Sequence, residues 1–140
     1  MTYRVRAART MLVAAATTLA AWWLIRGLHT LIDGATEADS ARNPLAGAPY
    51  YLAANAAGIV FQPLALWIVL RLAKVRGSLL AIIISAFVWA TMATGHLVDS
   101  PPGPAGAVLW VTIQCVTTTG ASLLQARLLP AGTRLKQQSP

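Results

Sequence analysis

Four long apolar runs separated by short polar connections limit the folds that this chain can adopt. The runs extend over residues 10–32, 50–72, 78–98 and 106–124. Crossing about 30 Å of bilayer hydrocarbon takes roughly 20 helical residues, so each run is long enough to span a membrane. The connections are rich in Gly, Pro and Ser, which end helices. The sequence therefore predicts an all-α fold: one transmembrane domain of 140 residues, built as a four-helix up-down bundle.

The composition supports a membrane protein over the other broad classes. Only 11% of the residues are charged and 56% are hydrophobic, with a mean hydropathy of +0.60. Soluble domains usually carry about 25% charged residues, and disordered chains combine low hydrophobicity with high charge. The single cysteine, Cys115, excludes an intrachain disulfide, a paired-cysteine redox mechanism and a four-cysteine zinc site.

The charged residues are divided unevenly between the two ends of the predicted helices. Nine of the 11 basic residues lie on one side: Arg4, Arg6, Arg9, Arg71, Lys74, Arg76, Arg127, Arg134 and Lys136. All 4 acidic residues lie on the other side, accompanied by Arg26 and Arg42: Asp33, Glu37, Asp39 and Asp99. The positive-inside rule then places both termini in the cytoplasm. We expect a multi-pass protein of a plasma membrane of the bacterial inner-membrane type, with outer loops at 33–49 and 99–105 and a cytoplasmic tail at 125–140.

The first apolar run also imitates a secretory signal peptide. Basic residues precede an apolar segment that ends in small residues, as in such a peptide. The apolar sequence continues through Trp22 to Ile25, however, and its removal would leave three spans. We therefore expect an uncleaved first helix.

The net charge of +7 and the pI of about 10.9 invite a nucleic-acid partner. Nucleic-acid binding needs a contiguous basic face, whereas these positive groups are divided among the cytoplasmic ends of helices. The expected partners are the lipid bilayer and a second copy of the chain or a larger membrane complex, with no nucleic acid.

Five aromatic residues near the outer ends predict a belt at headgroup depth: Trp22, Trp23, Tyr50, Tyr51 and Trp110.

Two of the predicted helices carry stripes of polar side chains. Asn55 and Gln62 share one face of the second helix with Gly58, and Gln114 and Thr118 share one face of the fourth. We expect the two stripes to face each other on neighbouring helices. Amide and hydroxyl groups of this kind either hold helices together by hydrogen bonds or line a substrate path.

A short repeat relates the first and third helices at an offset of 67 residues. Thr18, Trp22, Ile25 and His29 correspond to Ser85, Trp89, Met92 and His96. The four positions of each set fall within one narrow helical stripe. Both histidines are therefore expected at equivalent depths near the outer surface.

Acidic residues follow each histidine at helical spacing. Asp33 lies four residues after His29 and Asp99 lies three after His96, while Arg26 lies one turn inside His29. The five residues form a candidate outer cluster that could transfer protons, with a carboxylate setting the imidazole tautomer. His29 and His96 could instead be the axial ligands of a haem b, or hold a metal with the aspartates, although we assign no metal site. The simplest explanation is that all five are hydrated or salt-bridged residues at helix ends.

These patterns leave three classes of function open. The leading prediction is a non-enzymatic accessory or structural subunit of a membrane assembly, packing through its small-residue and amide faces. The first alternative is a small membrane enzyme or redox subunit that uses the outer cluster on a lipidic substrate or haem. The second is a minimal transporter or channel lined by Asn55, Gln62, Gln114 and Thr118.

Overall fold

The computed structural model describes residues 2–40, 47–75, 79–95 and 102–128. In these ranges the chain forms four helices and is all-helical: α1 (Tyr3–Ser40), α2 (Ala48–Leu72), α3 (Leu79–Thr94) and α4 (Pro104–Leu128). Three of them, α1, α2 and α4, are long and apolar enough to cross a membrane. Helix α3 has 16 residues, about 24 Å, and is predominantly apolar. Helices of this length and composition indicate an α-helical membrane protein.

Helix α1 extends beyond the predicted span at both ends. It begins at Tyr3 and ends at Ser40, so its last turns occupy residues that the sequence assigned to an outer loop. A single Gly34 does not interrupt it, because an isolated glycine in a helix costs only about 1 kcal/mol. The hydroxyl of Tyr51 donates a hydrogen bond to the Asp33 carboxylate, which ties this end of α1 to α2.

Two prolines that the sequence assigned to connections lie in the first turns of helices. Pro49 lies in the first turn of α2, which follows Gly47, and Pro104 is the first residue of α4. Proline fits the first helical turn because its fixed φ is helical and its missing N–H has no partner to lose there. Helix α4 also continues to Leu128, beyond the predicted end of the fourth span.

The four helices form a ring in which each packs against two others. Helix α1 contacts α2 and α4, and α3 contacts the same two; within the described ranges the backbones of α1 and α3, and of α2 and α4, do not touch. The expectation that the polar stripes lie on neighbouring helices is therefore wrong. Helices α2 and α4 lie diagonally opposite each other in the ring, and their polar side chains approach one another across the centre of the bundle.

The interior of the ring is layered. One apolar cluster packs near the end that carries most basic residues: Val13, Ala14, Leu66, Leu70 and Val75. Another packs toward the opposite end: Ala21, Trp22, Ile25, Trp89, Ala107 and Trp110. Between the two clusters lies a layer of buried polar side chains, which includes Thr18, Gln62, Ser85, Gln114 and Thr118. Many large apolar side chains, such as Leu12, Leu31, Leu72 and Phe87, point outward.

Two members of the expected aromatic belt lie in the core. Trp22 and Trp110 are only 6% and 7% exposed, and Trp110 packs edge-on against Trp89 with 5.2 Å between ring centroids. Trp23, at 64% exposure, and Tyr50 do face outward. The belt prediction was wrong for Trp22 and Trp110, because proximity to a span end does not say which face of the helix a residue occupies.

Helices α1 and α2 pack closely together at Gly58. A Cβ atom at this position would collide with the Cγ1 and Cδ1 atoms of Ile25. Gly58 also uses its backbone carbonyl, which accepts a hydrogen bond of 2.9 Å from the Trp89 indole nitrogen. The absence of a side chain at Gly58 thus brings α1 and α3 side chains onto the same turn of α2.

We expect Gly58→Ala to lower the free energy of unfolding by about 1–3 kcal/mol, because the added methyl overpacks the α1–α2 contact. In an Ile25→Ala background the additional cost of Gly58→Ala should vanish, since the obstructing atoms are gone. Unfolding in mixed detergent micelles would measure both. Gly120→Ala is the control: its Cβ meets nothing within 4 Å, so this change should be neutral or stabilising. Equal effects at Gly58 and Gly120 would contradict the close approach.

Candidate functional site

The centre of the bundle contains a hydrogen-bonded network across three helices. The Gln62 side-chain nitrogen Nε2 of α2 donates to the Ser85 hydroxyl of α3 at 3.0 Å. That hydroxyl donates in turn to Oε1 of Gln114 on α4 at 2.8 Å. The Nε2 atom of Gln114 returns a hydrogen bond to the Ser85 carbonyl at 3.2 Å, and the Thr118 hydroxyl lies 3.5 Å from Gln114 Oε1. We call Gln62, Ser85, Gln114 and Thr118 the central network.

Every side chain of the central network is fully buried, with 0% exposure. Thr18 of α1 is buried to the same degree, so all four helices contribute polar groups to the interior. Within the described residues, the Thr18 hydroxyl and Gln62 Oε1 have no hydrogen-bond partner. The network itself contains amides and hydroxyls only, which can hold helices together but neither supply a charge nor transfer a proton at neutral pH.

This geometry bears on the candidate lining residues. Gln62, Gln114 and Thr118 point inward: Ser85 joins the two glutamines and Thr118 contacts Gln114 directly, so they are not available to a partner protein. Asn55 is separate from them, because it is buried beside His29 nearer the N-terminal end of α2. The sequence singled out Ser85 only as a member of the repeat, although it is the hydroxyl that joins the two amide stripes.

A second polar contact joins α1 and α2 near the end of the bundle where Asp33 and Glu37 lie. His29 is buried, its ring lies 5.0 Å from the Tyr51 ring, and the Asn55 side chain lies within hydrogen-bonding reach of its imidazole. Its Nε2 atom has no hydrogen-bond partner among the described residues. Asp33 is exposed and accepts the Tyr51 hydroxyl. The structure thus brings His29 and Asp33 around Tyr51, a residue that the sequence assigned only to the aromatic belt.

The remaining members of the candidate outer cluster do not join this contact. Arg26 lies over the Trp22 ring, 5.2 Å from its centroid, on the side of α1 that faces α4. His96 and Asp99 lie outside the described residues. The pairing of His29 with His96, and with it the haem hypothesis, stays a prediction. Within the described ranges, no group of three or more His, Cys, Asp or Glu residues is placed to hold a metal ion.

Corresponding residues of the short repeat occupy similar interior positions on α1 and α3. Thr18 and Ser85 are fully buried, and Trp22 and Trp89 both belong to the apolar cluster that contains Ile25. The indole nitrogens have different partners: Trp22 Nε1 donates to the Pro102 carbonyl at 3.1 Å, whereas Trp89 Nε1 donates to Gly58. The repeat therefore indicates which stripe of α1 and α3 faces inward.

Polar contacts also close the end of the bundle that carries most basic residues. Arg6 Nε donates to the Ser122 hydroxyl at 3.0 Å, joining α1 to α4. The Gln125 side-chain oxygen accepts the Leu80 backbone N–H at 2.9 Å, which gives the free N-terminus of α3 a partner. Arg9 Nη1 donates to the Ala73 carbonyl at 3.1 Å, where α2 ends. These three contacts join the helices near their ends, and none of them pairs a positive with a negative side chain.

Comparison with known proteins leaves the function to be argued from this geometry. No protein-family model, no curated protein and no solved structure shows a significant match to the chain.

We expect Ser85→Ala to lower the free energy of unfolding by about 1–2 kcal/mol, because it leaves two buried amides without a shared partner. Thr91→Val is the matched control on the same helix, since the exposed Thr91 hydroxyl bonds only to its own helix at Val88. That change should stay within about 0.5 kcal/mol. Unfolding in mixed micelles measures both variants, and equal losses would mean that the central network does not stabilise the bundle.

Proposed function

We propose that this protein is a small non-enzymatic membrane subunit, an accessory or structural component that associates with itself or with a larger membrane complex. In this proposal α3 is a fourth span, the helices run alternately up and down, and both termini lie in the cytoplasm of a cell with a bacterial-type plasma membrane. The function proposed is therefore assembly within the bilayer, with no chemical reaction.

The central network is the observation that carries this proposal. Its amides and hydroxyls bond to one another at zero exposure in the middle of the interior, between two apolar clusters, and only Gln62 Oε1 has no partner among the described residues. Such an arrangement favours helix packing over a substrate path, because a path needs polar groups that water or substrate can reach. Because the amides point inward, a partner chain would bind the outward apolar surface, which includes Phe87 and Leu124.

Contacts between the helices support the alternating arrangement. Arg6 of α1 bonds to Ser122 late in α4, whereas Trp22 bonds to Pro102 just before α4 begins. On the other side, Arg9 reaches Ala73 at the end of α2, while His29 packs on Tyr51 at its beginning. Ser85 and Trp89 of α3 contact residues in the middle of α2 and α4. A fourth membrane-spanning helix would lie at this depth.

The orientation is testable because Cys115 is the only cysteine. In a Cys115→Ala background, single cysteines would be introduced by Thr2→Cys, Glu37→Cys and Leu128→Cys, all at exposed positions. We expect a membrane-impermeant maleimide to label intact cells at position 37 alone, and positions 2 and 128 only after permeabilisation. Labelling of all three positions from one side would exclude the proposed topology.

A small membrane enzyme is the second candidate function. The feature that favours it is the contact between buried His29 and the Tyr51–Asp33 pair, since an imidazole with a nearby carboxylate is a common proton-transfer arrangement. This candidate requires Asp33 and Tyr51 to matter for activity in the cell beyond their effect on folding.

To test the proposed function, two differently tagged copies of the full chain would be expressed together in the source cell and extracted with surrounding lipid into native nanodiscs. We expect particles that contain both tags, or one chain with another protein in fixed ratio, so that their protein mass exceeds the 14.8 kDa of one chain. A population of single chains alone would contradict an assembly role.

Variants separate the competing functions in the same preparation. Asp33→Asn and Tyr51→Phe should preserve both the assembly and any phenotype that the wild-type gene restores to a deletion strain. Loss of that phenotype with the assembly intact would favour the enzyme. Solute flux through proteoliposomes that disappears in the Gln62→Leu, Gln114→Leu double variant, with folding retained, would favour the transporter or channel.

A further inference from the structure

A groove opens on the outer surface of the bundle between α1 and α4. It has a volume of about 600 Å³, within the range of ligand pockets. Helix α1 lines it with Leu19, Trp23 and Arg26, and α4 lines it with residues that include Val108 and Thr112. Apart from the guanidinium at one end, its walls are almost entirely apolar.

The groove is about three-quarters as long as one membrane leaflet is thick. Its α1 wall, Leu19 to Arg26, spans about 11 Å of helix, and its α4 wall, Pro104 to Thr112, spans about 12 Å. One leaflet contributes about 15 Å of hydrocarbon. An occupant that lies along the groove with its polar end at Arg26 therefore has the dimensions of a lipid chain attached to its headgroup.

The charge at the end of the groove is held in place. The Arg26 guanidinium lies 5.2 Å from the centroid of the Trp22 ring, and the Trp22 indole is itself fixed by its hydrogen bond to the Pro102 carbonyl. In the part of the chain that the structure describes, no carboxylate pairs with Arg26. A guanidinium presents a planar set of donors that matches the oxygens of a phosphate group.

We propose that this groove binds one anionic phospholipid, with an acyl chain along Leu19 and Val108 and the lipid phosphate paired with Arg26. The apolar walls select the chain, and the fixed positive charge selects an anionic over a zwitterionic headgroup. The inference rests on the groove alone, so its failure would leave the proposed assembly function untouched.

The test is native mass spectrometry of the full chain after reconstitution in vesicles of equal phosphatidylglycerol and phosphatidylcholine. We expect Arg26→Gln to lose one bound phosphatidylglycerol, with occupancy reduced about tenfold, because a charge-assisted hydrogen bond is removed. Arg71→Gln is the matched control: Arg71 also lies over an indole, 4.8 Å from the Trp67 centroid, but outside the groove. It should retain the wild-type number of lipids.

Two further variants keep the test decisive if Arg26→Gln folds poorly. Val108→Trp, at an exposed groove position, should reduce binding of both phospholipids by filling the path of the chain. Arg26→Lys should keep the preference for phosphatidylglycerol within about threefold, since the charge remains. Far-ultraviolet circular dichroism confirms the helical fold of each variant.

Three results would overturn the inference. Equal retention of phosphatidylglycerol and phosphatidylcholine by the wild type would exclude a charge-selective site. Indistinguishable lipid numbers in Arg26→Gln and Arg71→Gln would place the lipid elsewhere, including the Arg9 and Lys74 pocket at the other end of the bundle. Displacement of the lipid by millimolar inorganic phosphate would mean that the site recognises free phosphate and that the groove contributes nothing.

Discussion

The Ser85 hydroxyl joins two glutamine amides at the centre of the bundle, and the packing of α2, α3 and α4 depends on this contact. Each amide comes from one of the two helices that face each other diagonally, while Ser85 lies on the helix between them. Polar groups in an apolar interior are costly without partners, so this arrangement restricts how the three helices can rotate and slide. The two apolar clusters pack on either side of this layer.

The same constraint separates the interior from the surface. Amides and hydroxyls lie inside, while large apolar side chains such as Leu31 and Phe87 lie outside, the reverse of a soluble bundle. This distribution is stable where the surrounding solvent is hydrocarbon, because apolar side chains then lose nothing by exposure. Charged side chains are confined to helix ends, or, in the case of Arg26, to a groove near one end. The interior therefore holds the helices together, and the outward surface is largely apolar.

Much of the fold was predictable from local pattern. The apolar runs predicted four helices, and helical periodicity placed Thr18, Trp22 and Ile25 on one stripe, but it did not say that this stripe faces inward. The candidate site was less predictable. Whether Gln62 met Gln114 directly or through Ser85 depended on the order of helices around the ring, and the contact of Tyr51 with Asp33 uses a part of α1 beyond the predicted end of the first span at Ile32. Contacts of this kind involve distant residues, and no local signal encodes them.

The helical class, the number of helices and the segregation of charge follow from local pattern, because hydrophobic length and residue periodicity are local properties that the bilayer dimensions convert into structure. Packing of the whole bundle places α2 and α4 on a diagonal, puts Trp22 and Trp110 in the core, and turns Arg26 toward α4 and His29 toward α2. The physical reason is that the rotation of each helix is set by packing and hydrogen bonds with two neighbours at once. Those contacts exist only when all the helices are in place.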